Sequence, residues 1–232
     1  MGKEAIPKTN EQKTEALKDE VLKKLEDMEG KEKIIEALEL ALFLHSDQRP
    51  RPDGPYVDHI LRGVNRLLGF GVTDPDIIIA SALHDSVEDQ SSKLAEGAIS
   101  ELSEREKAIE SIRQKYGQRV SNIVESITNP EKLKELQAEQ ANEEYAVRLK
   151  EVIENLDTFY VKLSDFLDNG SKIKDIADAR WQYKLAKKYL PIYKIFIDRI
   201  KRSDIILPQE IKDQIITDLS EAEIVATGII KG

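Results

Sequence analysis

The chain contains no cysteine. Disulfides, thiolate metal sites and a cysteine nucleophile are therefore excluded. Histidine is almost as scarce: there are three in 232 residues, His45, His59 and His84, gathered in one stretch with none elsewhere. No run approaches the roughly 18 consecutive apolar residues of a membrane span. The amino terminus lacks the apolar core that follows the basic residues of a secretory signal. Neither G-x-G-x-x-G nor G-x-x-x-x-G-K-[ST] occurs, so the common glycine-rich phosphate cradles are absent. No segment alternates apolar and polar residues for long, and no N-G or D-G turn sits between β-rich runs. Positive charge is in deficit, with a net −9, which argues against a general nucleic-acid surface. The expectation is a soluble, cytoplasmic protein without nucleic-acid or membrane partners, with self-association left open.

What is present is helical periodicity. With 40% hydrophobic and 34% charged residues, the composition is that of a globular protein, and the spacing predicts one all-α bundle of about ten helices. Residues 1–30 read as an N-terminal extension with a helix over 11–29, capped by Thr9 or Asn10 behind a polar, frayed start. Residues 31–203 form the main unit, and 204–232 a C-terminal helix packed on it. Within the main unit one helix runs to about Ser46, with His45 at its end. A second starts at Tyr56 and stops at G-F-G, residues 69–71. Residues 90–106 read as a long, loose connection, after which Ser103 and Glu106 make a capping box. A long charged helix is expected over 131–155. Two helices, 172–188 and 190–202, are expected on either side of Pro191.

The most informative stretch is 74–90, D-P-D-I-I-I-A-S-A-L-H-D-S-V-E-D-Q. Asp74 suits an N-cap and Pro75 the first helical position. The following residues are apolar all round, which predicts a buried helix. Read as one continuous helix, it gathers His84, Asp85, Glu88 and Asp89 into one sector of its last turns. Three carboxylates at the negative end of a helix dipole repel one another. A bound cation relieves that repulsion, and so does plain solvation; the stretch alone leaves both open. His45 reads as a hydrogen-bonded helix-end residue in preference to a ligand. Residues 47–56, D-Q-R-P-R-P-D-G-P-Y, form a stiff loop. Its Arg49 and Arg51 suit clamping a phosphate or stacking on a base, or simply a solvated surface. Asp165 lies in an apolar run and needs a partner, whether a metal, an arginine or a helix terminus, with Asn169 one turn later on the same face.

His59, His84-Asp85 and the distant Asp165 make an H…HD…D pattern, able to hold one divalent ion with positions left for water and substrate. Four ordered blocks carry a resemblance: H-S-D-Q-R-P-R-P-D-G-P-Y-V-D-H at 45–59, A-L-H-D-S-V-E-D at 82–89, Y-G-Q-R-V-S-N-I-V-E-S-I-T at 116–128 and V-K-L-S-D-F-L-D-N at 161–169. Over about residues 31–200 the chain resembles the HD-domain metal-dependent phosphohydrolases, and within them the RelA/SpoT-type hydrolases of the alarmone (p)ppGpp. The resemblance implies that His59, His84, Asp85 and Asp165 bind one divalent ion, typically Mn2+. It implies that Glu88 and Asp89 activate water, and that Arg49, Arg51, Tyr56 and Asn169 contact the nucleotide. The reaction implied is loss of the 3′-pyrophosphate, without synthesis. Pro50 and Pro52 depart from the family pattern, as does Asp168, which is expected to add negative charge near the nucleotide. The alternatives are the same site acting on another nucleotide, such as an adenine alarmone or NADPH, and a helical sensor that binds nucleotide without turnover.

Overall fold

A computed structural model describes residues 9–96 and 101–232. The frayed start expected over residues 1–10 therefore falls largely outside the described residues, as does the middle of the 90–106 connection. Local chemistry sets most boundaries. Thr9 and Gln12 close a capping box on α1 (Asn10–Leu25), and Gly30 separates it from α2 (Lys31–Leu44). The stiff loop leads into α3 (Tyr56–Gly69). Asp74 accepts the Asp76 amide and Pro75 opens α4 (Pro75–Ala82), as their types require. Two single turns follow, α5 (Ser86–Asp89) and α6 (Ser91–Leu94). The Ser103–Glu106 capping box starts α7 (Glu104–Tyr116), and Gly117 divides it from α8 (Gln118–Ile127). Then come α9 (Ala138–Val152), α10 (Leu156–Gly170), α11 (Ala179–Ile200) and α12 (Gln209–Lys231). Among the described residues there is no strand, only an isolated bridge between Arg51 and Gly54. No helix among them is long and apolar enough to cross a membrane.

At the centre lies α4, packed against α2, α3, α8 and α10. Ile77, Ile78, Ile79, Ala80, Ser81 and Ala82 are all buried, which explains an apolar run with no polar face. Each fully buried isoleucine contributes about 1.5–3 kcal/mol. A second packing centre joins α10 to α11, where Phe166 stacks on Phe196 at 5.0 Å and meets Tyr193 and Tyr189. The C-terminal α12 lies along α11.

Several boundaries differ from the sequence expectation: the helix expected from 172 is a 3-10 turn at Ile173–Asp175, and α11 starts only at Ala179. The 74–90 helix is broken after Ala82. The long 131–155 helix is a 3-10 turn at Glu131–Lys134 followed by α9. Pro191 does not end a helix but lies inside the 22-residue α11. Its ring costs one backbone hydrogen bond, to the carbonyl of Lys187. Both residues are exposed, so water can take that place.

Candidate active site

His84 and Asp85 sit at the break between α4 and α5, outside either helix. There the His84 imidazole turns back on the end of α4, and its Nδ1–H donates to the Ser81 carbonyl at 2.8 Å. One of the free carbonyls that every helix end leaves is thereby satisfied, and the ring's tautomer is set. The neutral ring must then carry its lone pair on Nε2. His59, in the first turn of α3, is arranged in the same way, with Nδ1 2.8 Å from Asp168 Oδ2. Both rings are buried. Their Nε2 atoms face each other at 3.2 Å, two lone pairs pointed into one small space.

The third contributor comes from α10. Asp165 Oδ1 lies 3.5 Å from His59 Nε2 and 3.7 Å from His84 Nε2. The ligand atoms of His59, His84 and Asp165 all fall within 4.8 Å of one another. Asp85 Oδ2 is 3.1 Å from His84 Nε2 and 3.5 Å from His59 Nε2, though it stays outside that mutual group. It also accepts the Tyr56 hydroxyl at 2.5 Å. Neutral imidazole and carboxylate are the donors that a divalent ion of this borderline class takes, and a cation between the facing lone pairs removes their repulsion. Without one, a proton takes its place: despite burial, the Asp85 and Asp165 carboxylates hold the His84 imidazolium well above the ordinary histidine value.

Behind His59 the arrangement is different. Asp168 is buried and its carboxylate receives Arg62 Nε at 2.7 Å, Arg66 Nη2 at 3.2 Å and Lys172 Nζ at 3.2 Å, besides His59. Burial alone would raise its pKa, but the hydrogen bonds from Arg62 and His59 hold it far below the usual carboxylate range. Asp165 and Asp168, three residues apart on α10, thus bracket one imidazole, one carboxylate at each nitrogen. Asp168 borders the larger cavity, but its charge is taken up behind His59 by Arg62, Arg66, Lys172 and the imidazole, where it orients the ring. Such outer-shell carboxylates raise ligand basicity and fix ring direction. The D-x-x-D spacing was a readable signal for this role.

His59, His84, Asp85, Glu88, Asp89, Asp165 and Asn169 line one cavity of about 220 Å³, together with Arg51 and Tyr56. The four acidic and histidine positions of 84–89 do face one space, but by way of the break and not one helical sector. Glu88 accepts the Asn129 amide and side chain, each at 3.1 Å. Asp89 accepts Gln48 Nε2 at 2.8 Å and lies 3.1 Å from the Tyr56 hydroxyl. Neither forms an ion pair among the described residues. Asn169 links the site to the loop: Arg51 donates to its Oδ1 at 2.5 Å and its Nδ2 donates to Asp165 at 2.6 Å.

Arg49 lies elsewhere. It is exposed and lines an adjoining cavity of about 720 Å³, walled also by Pro50, Trp181 and Leu185, which shares Arg51, Tyr56, Asn169 and Tyr189 with the first. The loop that carries both arginines turns on Gly54, whose φ of +141° is unfavourable for other residues and whose Cβ would meet Asp58 Oδ2 at 3.0 Å. His45 is no part of the ligand cluster. It bonds Gln48 and stacks on Tyr56 with centroids 5.0 Å apart, in agreement with its reading as a helix-end residue. Two lysines escaped sequence reasoning. Lys162 is buried and pairs with Asp165 Oδ2 at 2.8 Å, and Lys188 lines the same cavity from α11.

Residues 37–200 match the model of a family described as HD domain. The chain is 31% identical over 162 residues to a guanosine-3′,5′-bis(diphosphate) 3′-pyrophosphohydrolase of Aquifex aeolicus, covering 70% of this chain and 20% of that protein. It is 30% identical over 160 residues to the guanosine-3′,5′-bis(diphosphate) 3′-pyrophosphohydrolase MESH1 of Xenopus tropicalis, covering 67% of this chain and 78% of that one. A solved structure of a metazoan ortholog of SpoT, described as hydrolysing ppGpp, superposes with a TM-score of 0.59 at 22% identity, over 82% of this chain and 93% of that one. The last likeness speaks to the fold alone. The chain spans only a fifth of the Aquifex protein, and most of the Xenopus one.

Proposed function

Because the chain belongs to the HD-domain family, we propose that it is a metal-dependent hydrolase that removes the 3′-pyrophosphate of (p)ppGpp. The products are GDP or GTP and pyrophosphate. One observation carries the reading: the ligand atoms of His59, His84 and Asp165 converge to within 4.8 Å in a cavity that also holds Glu88 and Asp89, two acids with no ion pair among the described residues. The names of the relatives supply the substrate.

In this reading His59, His84, Asp85 and Asp165 hold a divalent ion, Mn2+. Such an ion neutralises phosphate charge and lowers the pKa of water. Glu88 or Asp89 accepts the proton of the attacking water as general base, each held in place by neutral donors. The water oxygen bonds to the 3′-linked phosphorus, the bond from phosphorus to the ribose 3′ oxygen breaks, and that oxygen takes up a proton equivalent to the one the base received, leaving as a hydroxyl. Tyr56 holds Asp85 and Asp89 in register. Arg51 and Asn169 receive the phosphate side of the nucleotide, and Arg49 borders the larger cavity suited to its base. A cytoplasmic location, where nucleotides are made, completes the proposal.

The test is release of pyrophosphate from ppGpp by Mn2+-loaded protein, beside the adenine counterpart and NADPH. Pyrophosphate release from ppGpp in preference to the others is the expected result. Release only from another nucleotide would reassign the substrate, and tight binding without release would make the chain a sensor.

A further inference from the structure

Of the three cations that line the small cavity, Arg51, Lys162 and Lys188, the last has no direct polar partner among the described residues. Lys188 Nζ lies 4.9 Å from the Tyr145 ring centroid and 5.4 Å from that of Tyr189. Among the described residues it has no hydrogen-bond acceptor and no ion-pair partner. Lys162, by contrast, already has Asp165. Burial first, and then the neighbouring Lys162 ammonium, push the Lys188 ammonium below the ordinary lysine value, although the Asp165 and Glu88 carboxylates act the other way. The cavity also holds Asp85, Glu88, Asp89 and Asp165. Asp85 and Asp165 face the two imidazoles, however, and Glu88 and Asp89 accept neutral donors, so the Lys188 ammonium keeps its donors for another acceptor. The faces of Tyr145 and Tyr189 solvate the ammonium in part, and an anionic oxygen suits what remains.

Position narrows what the anion is. The 720 Å³ cavity beside the Arg49–Arg51 loop is in the range of roughly 300–1,000 Å³ usual for small-molecule sites, and its Ile176, Trp181 and Leu185 suit a nucleoside. Arg51, Tyr56, Asn169 and Tyr189 belong to both cavities, whereas Lys162, Lys188 and Tyr145 line only the smaller one. A nucleotide with its base in the larger cavity crosses the shared residues and brings its first phosphorus to the His59–His84–Asp165 cluster. Whatever extends beyond that phosphorus lies in the smaller cavity, which Lys188 lines. We propose that Lys188 binds the terminal phosphate of the substrate's 3′-pyrophosphate, so that the site selects a pyrophosphate over a single phosphate. The assignment rests on the hydrolase reading above for the identity of the substrate, though not for the presence of an anion site.

The experiment titrates inorganic pyrophosphate and, separately, inorganic phosphate into Mn2+-loaded wild-type, Lys188→Met and Lys188→Arg proteins, with metal content and melting temperature checked for each. Lys188→Met keeps the stem packed between the two tyrosines and removes only the charge. The expected result is a loss of about tenfold in pyrophosphate affinity, equivalent to about 1.4 kcal/mol, with a smaller loss for phosphate and recovery in Lys188→Arg. Equal losses for the two anions, or none, would overturn the assignment and leave Lys188 a packing residue. Turnover of ppGpp by the wild type separates this from the larger reading. If no pyrophosphate is released but Lys188→Met still weakens pyrophosphate selectively, the hydrolase reading fails and the anion site stands.

Discussion

The two sides of His59 use the same residue types to opposite ends. At Nδ1, Asp168 meets the imidazole and three cationic side chains, Arg62, Arg66 and Lys172, so charge there is closed. At Nε2, Asp85, Asp165 and His84 crowd together with one lysine, Lys162, paired to Asp165, so charge there is left open for something to bind. The comparison teaches that a buried aspartate is no sign of a metal site by itself. What separates ligand from support is whether protein cations have already satisfied it.

Substitutions should separate the two sides in order of effect. Asp165→Ala should abolish turnover and weaken the metal by more than the roughly 100-fold upper bound seen for outer-shell partners, read by metal analysis and pyrophosphate release on the same preparation. If Asp165→Ala keeps its metal, the open side has been misassigned. Glu88→Gln with Asp89→Asn should retain metal yet lose about 10²–10⁴-fold in kcat, the range for a general base. Full activity in that double variant would remove both acids from the chemistry. On the closed side, Asp168→Asn should cost about 10–100-fold in metal affinity. Asp168→Ala should in addition lose about 3 kcal/mol of stability by urea melting, at the low end for a broken buried pair because Arg62 and Lys172 reach solvent. A variant at 168 that affects metal no more than a surface change would break the contrast.

The smallest effect concerns pH. In the metal-free protein the raised His84 pKa contributes stability that is full below histidine's ordinary value of about 6.5 and is lost as pH rises through the raised folded value. Metal requires the neutral ring and gains over that same window. The difference in melting temperature between Mn2+-loaded and metal-free protein should therefore widen with rising pH. A constant difference would mean that no proton leaves His84 on metal binding.

Much of this was legible beforehand. Asp74-Pro75 and Ser103–Glu106 carry helix starts in their own chemistry, and the structure has them there. The ordered blocks around His59, His84-Asp85 and Asp165 signalled the cluster. Other features were not legible, for physical reasons. The break after Ala82 has no glycine or proline to announce it; it is stabilised by the His84 side chain reaching Ser81. Pro191 looked like a terminator, but its exposed face lets α11 continue. Asp165 was expected to need a metal, an arginine or a helix end, and its protein partner is Lys162, a residue that periodicity would place in the core.

Residue order by itself determined the helical class, most caps, the scarcity of ligand types and the three histidines from which a site must be built, because these depend on contacts between near neighbours. Tertiary structure alone decided that Asp168 is closed off behind His59, which cations are used up, and that Lys188 is left over. Those outcomes depend on charges from α3, α4, α10 and α11 meeting within a few ångströms, and no local spacing encodes that meeting.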